Sequence, residues 1–132
     1  MTIASVGIVL VSHSAELAEG AANLAAQVSG GTVTIVAAGG TDDGDLGTSA
    51  AKVEQALRDA DQGAGVVVLP DLGSAVLTVR AVLEDYGSAG SVLLADAPFV
   101  EGAVAATVIA AAGGDLKAVA AAAEEARHAR KL

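Results

Sequence analysis

The sequence predicts a single α/β domain over residues 1–132: three layers, with a mostly parallel four-stranded sheet and helices on both of its faces. Three observations carry this reading. Four short runs rich in β-branched residues recur along the chain, helical patterns stand between them, and the runs are apolar on both faces, as strands covered from both sides are. With 132 residues, 53% of them hydrophobic, the chain can bury one real core and has no room for a second catalytic domain.

Residues 6–11 (VGIVLV) read as the first strand. A helix over residues 15–28 follows, with Leu17, Ala21, Leu24 and Val28 at helical spacing and Glu16 and Glu19 in its first turns, where the helix dipole favours acids. Gly30 and Gly31 end it. Residues 33–37 are the second strand, and Thr48 or Ser49 caps a second helix that reaches Ala60 with Val53, Ala56 and Leu57 as its buried stripe. Residues 65–69 (GVVVL) are the third strand, succeeded by a helix from about Ser74 to Tyr86 that Gly87 stops. After a fourth strand at residues 91–94 come two more helices, over residues 100–112 and from 115 to about 130, separated by Gly113 and Gly114. The order is βαβαβαβαα.

Composition excludes several functions. There is no Cys, no Trp, one Phe and one Tyr, which removes a disulfide framework, thiolate metal sites and aromatic platforms for single-stranded nucleic acid. Net charge is −9, and three of the seven bases (Arg127, Arg130, Lys131) crowd the end of the chain. The remaining surface repels phosphate backbones and anionic headgroups, so neither nucleic acid nor membrane is an expected partner. Mean hydropathy is high, +0.58. Yet the longest uncharged stretch, residues 20–41, is broken by Asn23, Gln27, Ser29 and the glycine pair, and it changes period halfway. The first basic residue is Lys52, too late for the basic segment of a secretory signal, and a cytoplasmic location is expected.

Alternating strands and helices bring the four strand-to-helix loops to the carboxyl edge of the sheet, where ligands bind near the point at which strand order reverses. Those loops hold Ser12, His13 and Ser14; Gly39, Gly40 and Thr41; Asp71 to Ser74; and Asp96 to Pro98. They are expected to share one crevice. His13 leaves a buried strand and enters a helix, whose free N–H groups stabilise an anion in front of it. The residue type suits a nucleophile that carries a phosphoryl group. A histidine there also serves as a plain capping or loop residue, but its place at the carboxyl edge favours chemistry. A nucleophilic histidine works through one nitrogen while a carboxylate on the other fixes its tautomer, and Asp71 is the best-placed acid. Asp71 is otherwise a turn residue ahead of Gly73 and Ser74. Ser74 can cap the third helix and also bind phosphoryl oxygens, and Gly39, Gly40 and Thr41 can form a nest of N–H donors with the Thr41 hydroxyl.

No phosphate-binding P-loop and no G-x-G-x-x-G pattern is present, and none of the four loops contains Lys or Arg, which points to one phosphoryl group held briefly rather than a nucleotide held tightly. Asp43, Asp45 and Glu54 match three calcium-loop positions, but Thr48 stands where glycine is required and Gly47 at a ligand position, so no metal is expected. Asp42, Asp43 and Asp45 read as a solvated acidic loop. His128 sits among Arg127, Arg130 and Lys131 at a helix end and is given no chemistry.

The segments GIVLVSHS (residues 7–14) with LAEG (17–20), AAGGTDDGDLGTS (37–49), VLPDLGSA (68–75) and DAPFVEGA (96–103) together resemble the mannose-type enzyme IIA superfamily. GGTDDG and DAPFVEGA favour its branch serving bacterial dihydroxyacetone kinase over the sugar-transporting relatives. The resemblance implies a phosphotransferase working through a phosphohistidine and needing no cofactor. His13 accepts the phosphoryl group from phospho-HPr, itself charged from phosphoenolpyruvate by enzyme I. Asp71 orients His13, and Ser14, Gly40, Thr41 and Ser74 bind the phosphoryl group. It further implies transfer to ADP on the DhaL subunit, use of the ATP on glycerone (dihydroxyacetone) held by DhaK, and a homodimer. Some relatives append HPr-like and enzyme I-like domains, for which 132 residues leave no room, so free HPr is the expected donor. Two alternatives stay open: an enzyme IIA of a sugar permease, and a non-catalytic α/β regulator that binds a small anion. The roles of Glu101 and of the acidic loop are undecided.

Overall fold

The structure is a computed structural model and describes residues 4–86 and 91–132. Strands β1 (Gly7–Ser12), β2 (Ile35–Gly39), β3 (Val66–Pro70) and β4 (Val92–Leu94) form one parallel sheet in the order β2-β1-β3-β4. Helices α1 (Ala15–Val28), α2 (Ala50–Ala60), α3 (Gly73–Tyr86), α4 (Phe99–Ala111) and α5 (Leu116–Glu125) connect and follow the strands, and a 3-10 turn, Ala126–His128, ends the ordered elements. The predicted βαβαβαβαα order is the observed one. Gly87, expected to stop α3, lies outside the described residues.

Strand periodicity splits the core into two layers. Ile8, Leu10, Val67 and Leu69 pack with Ala21 and Ala25 of α1, Ala103, Ala106 and Ala110 of α4, and Val119 and Ala123 of α5. Val9, Val11, Val66 and Val68 pack on the opposite face with Val53, Ala56 and Leu57 of α2 and Ala75, Val79 and Val82 of α3. Both faces of β1 and β3 are therefore covered, the physical cause of their unbroken apolar runs.

Two expectations are revised. The stripe read from α1 faces outward at three of its positions: Leu17, Leu24 and Val28 are 44%, 46% and 52% exposed, while Ala18, Ala21 and Ala25 are buried. Small side chains let α1 lie close to the sheet, closer than leucines would allow. Strand β2 also runs two residues later than predicted, so Gly39 ends the strand, paired with Ser12, rather than starting the loop. A Cβ on Gly39 would lie 2.6 Å from the Ser14 carbonyl oxygen and 2.7 Å from the Ala15 Cα, so its value is close approach of the first turn of α1.

The neighbours of β1 diverge in chain order: β2 lies on one side and β3 on the other. This is the switch point, and the residues following β1 and β3 meet there.

Candidate functional site

Three short connections assemble the site. Ser14 caps α1, its Oγ accepting from the Leu17 N–H at 3.2 Å. The Asp71 N–H donates to the Val11 carbonyl at 2.9 Å and locks the end of β3 against the end of β1. The Gly40 N–H donates to the Ser12 carbonyl (3.1 Å) and the Gly47 N–H to the His13 carbonyl (2.9 Å), which ties the β2–α2 loop to the same place.

These ties bring His13 and Asp71 together across 58 residues of sequence. Asp71 Oδ1 lies 2.9 Å from His13 Nδ1 and accepts from the Leu72 N–H at 2.8 Å; Oδ2 accepts from the Ser12 hydroxyl at 2.8 Å and from the His13 N–H at 3.1 Å. The Asp71 side chain is 8% exposed and that of His13 24%. Burial pushes the Asp71 carboxyl up, but the bonds from the His13 backbone, the His13 ring and the Ser12 hydroxyl, with the charge the ring carries whenever it is protonated, outweigh it and hold the carboxyl below its ordinary value. An ionised carboxylate only accepts, so Nδ1 carries the proton and donates it to Oδ1. Nε2 is then the bare nitrogen, 2.5 Å from Ser74 Oγ, whose hydroxyl donates to it. Ser74 stands in the first turn of α3, where the N–H groups of Gly73 and Ser74 have no intrahelical acceptor and the helix dipole favours an anion. The arrangement can do one thing well: present a nucleophilic Nε2 beside donors suited to an incoming phosphoryl group.

The structure thus brings His13, Asp71 and Ser74 together, and it sets Ser14, Gly40 and Thr41 in the connections around them. The nest is not formed as expected. Gly40 does take a positive φ of 76°. Its N–H is spent on Ser12, however, and the Thr41 N–H on the Asp45 carbonyl at 2.9 Å, while Thr41 Oγ1 accepts from the Asp45 N–H at 3.1 Å. Ser14 Oγ accepts from the Leu17 N–H, and its hydroxyl keeps a proton to donate. Gly40, Thr41 and Ser14 frame the loop that holds His13. Hollows lie on either side of these residues. One, of about 320 Å³, is lined by Asp71, Gly73, Val76, Arg80, Leu94 and Asp96; the other lies between Ser14 to Glu16 and Gly44 to Leu46.

Sequence reasoning missed Ser12 and Arg80. Ser12 is wholly buried and touches Asp71 directly. The signal available for it was a hydroxyl at a core position of a buried strand. Arg80 puts a basic group on the hollow beside Asp71 although no loop carries one; its spacing of seven from Gly73 sets both on one helix face. Among the acids, Asp42 accepts from the Ser49 hydroxyl at the start of α2, and Glu101 pairs with Lys131 at 3.0 Å. Asp96 pairs with Arg127 at 3.4 Å and its N–H donates to Glu124 at 3.0 Å, which fastens the β4–α4 loop to the end of α5. Among the described residues no cluster of His, Cys, Asp or Glu is arranged to hold a metal ion, and no helix is long and apolar enough to cross a membrane.

The EIIA-man family, described as the PTS system fructose IIA component, matches residues 7–120. The phosphoryl donor subunit DhaM of the PEP-dependent dihydroxyacetone kinase of Pantoea ananatis is 44% identical over 86% of this chain, and that of Escherichia coli strain K12 is 41% identical over 86%. The chain spans about a quarter (25%) of the length of each. The DhaM subunit of dihydroxyacetone kinase 2 of Listeria innocua is 37% identical, over 78% of this chain and 84% of its own length. Among solved structures, a crystal structure of a protein of unknown function superimposes with a TM-score of 0.81 at 33% identity, covering 92% of this chain and 94% of that one. A sigma-54 interaction domain protein from Enterococcus faecalis, 18% identical with a TM-score of 0.67 over 89% of this chain and 87% of its own, shares the fold. Because the match runs from β1 into α5 and takes in both His13 and Asp71, the chain belongs to the EIIA-man family and is a relative of the DhaM phosphoryl donor subunits.

Proposed function

We propose that this chain is the phosphoryl carrier of a phosphoenolpyruvate-dependent dihydroxyacetone kinase, receiving a phosphoryl group on His13 from phospho-HPr and passing it to ADP bound to DhaL. The observation that carries the reading is the Nδ1–H bond from His13 to Asp71, which leaves Nε2 as the nucleophile. The Nε2 lone pair attacks phosphorus, and the bond from phosphorus to the donor breaks with its electron pair going to HPr. The Nδ1 proton stays where it is, and the positive charge that the ring gains is met by the Asp71 carboxylate. Ser74 turns its hydroxyl from Nε2 to a phosphoryl oxygen, joined by the N–H groups of Gly73 and Ser74. In the second step an oxygen of the ADP β-phosphate attacks phosphorus and the electron pair of the N–P bond returns to Nε2. A phosphoryl site without a loop Lys or Arg lets the group leave again, since a strong clamp would trap it. ATP formed on DhaL then phosphorylates dihydroxyacetone on DhaK.

The same reading makes the protein a cytoplasmic homodimer whose acidic surface docks briefly on basic-rimmed partners. The net charge of −9 supports the docking part of this reading, and the subunit names of the DhaM relatives support the kinase to which it belongs. Incubation with phosphoenolpyruvate, enzyme I and HPr should give an acid-labile phosphoryl adduct on His13, absent from His13→Ala. An unlabelled wild-type protein would refute the carrier reading and leave a non-catalytic anion-binding domain. Addition of DhaL with ADP should then discharge the label; a label that stays until a sugar permease is supplied would assign the protein to sugar transport.

A further inference from the structure

Ser12 occupies the position on β1 that continues the Ile8 and Leu10 side of the strand into the core, and it is 0% exposed. A hydroxyl there costs free energy unless both of its functions are used. Both are: Oγ accepts from the Ser14 N–H at 3.0 Å and donates to Asp71 Oδ2 at 2.8 Å. One side chain thereby joins the end of β1, the first residues leading into α1 and the loop after β3. The Ser14 N–H occupies the acceptor side of the hydroxyl, which leaves its proton directed at Asp71. With Oδ2 held by Ser12 and the His13 N–H, the carboxylate cannot rotate, and Oδ1 stays aimed at Nδ1.

We propose that Ser12 is a positioning residue of the phosphoryl-transfer site, its buried hydroxyl fixing the Asp71 rotamer that holds His13 in the reactive tautomer. The proposal rests on the phosphoryl-carrier reading for its effect on rate, but not for its effect on Asp71. Besides Ser12, the charged or titratable groups facing Asp71 are His13 from the end of β1, Arg80 from α3 and Asp96 from the β4–α4 loop, the last two across the hollow that Asp71 lines. Of these, His13 also reaches Oδ2, through its backbone N–H at 3.1 Å, so Ser12 supplies the one side-chain bond to that oxygen among the described residues.

The test compares wild type, Ser12→Ala and Ser12→Thr in two measurements. The first is titration of the Asp71 carboxyl carbon by NMR in the unphosphorylated protein, which needs no partner. The second is the rate of phosphorylation by enzyme I, HPr and phosphoenolpyruvate. In Ser12→Ala the Asp71 midpoint should rise toward the ordinary aspartate value and phosphorylation should slow about tenfold, the effect of one lost bond at an orienting group. Ser12→Thr, which keeps the hydroxyl, should restore both. Ser12→Cys, similar in size and a weak donor, carries both measurements if Ser12→Ala does not fold. An unchanged Asp71 titration overturns the proposal, as does a rate loss that Ser12→Thr fails to restore, since either marks a packing defect. Wild-type protein that takes no label refutes the carrier reading instead, and the Asp71 titration still decides the role of Ser12 toward the carboxylate.

Discussion

Asp71→Asn keeps the size of the side chain and removes its charge, so it isolates what the carboxylate does. In the wild type four donors converge on two oxygens: Leu72 N–H and His13 Nδ1–H on Oδ1, Ser12 Oγ–H and His13 N–H on Oδ2. An amide has one oxygen, so its NH2 must face one of these pairs of donors. Facing the Oδ1 side, it pushes the imidazole to the tautomer with Nε2 protonated, which cannot attack phosphorus. Facing the Oδ2 side, it keeps the tautomer but meets the His13 N–H and offers no charge to the phosphorylated ring. A hydrogen bond to a charged group contributes about 1.5–3 kcal/mol, and each 1.4 kcal/mol or so is tenfold in rate, so the second case slows phosphorylation by roughly 10- to 100-fold. The first approaches the ~10⁴-fold loss known for a misplaced tautomer in a catalytic triad. The assay is single-turnover labelling from phospho-HPr, read together with the ¹⁵N shifts of the His13 ring, which report the tautomer. A labelling rate within threefold of wild type, with the tautomer unchanged, would refute the role given to Asp71. Stability offers a second check. The Asp71 carboxyl is held below its ordinary value, so its contribution is present above about pH 4 and is lost as pH falls through the lowered midpoint. The Tm gap between wild type and Asp71→Asn should therefore narrow as the buffer is taken from pH 6 to pH 3, and a widening gap would reverse the sign of the argument.

Ser74→Ala removes the hydroxyl beside Nε2 while leaving the N–H groups of α3 in place, and phosphorylation should slow by about tenfold with the melting curve unchanged; an unaffected rate would leave the phosphoryl group to the backbone alone. Gly39→Ala drives a Cβ into the Ser14 carbonyl and Ala15, so urea denaturation should show a loss of roughly 1–3 kcal/mol and labelling of His13 should fall with it, since α1 must shift. Leu57→Ala, buried between α2 and the sheet and far from the chemistry, should cost about 2–5 kcal/mol by the same denaturation while the surviving folded protein is labelled at the wild-type rate.

By itself the sequence determined the layered fold and the place of His13 at the carboxyl edge of the sheet. VGIVLV and GVVVL are apolar throughout because β1 and β3 are buried on both faces, and that pattern is local, legible without any knowledge of partners. His13 was legible because its place is topological: a residue directly after a parallel strand lies at the carboxyl edge whatever the details of packing. Asp71 was found by the same reasoning. The tertiary structure decided which donors are free. Whether the N–H groups of Gly40 and Thr41 face an anion depends on Ser12 and Asp45, and it is those residues that take them. It also decided that alanines rather than leucines face the sheet from α1, because helix-to-sheet distance is a property of the pair and not of the helix. And it revealed Ser12, whose buried hydroxyl meets a carboxylate 59 residues away. Periodicity and position are written along the chain, whereas hydrogen-bond satisfaction depends on which groups folding brings within 3 Å or so of each other.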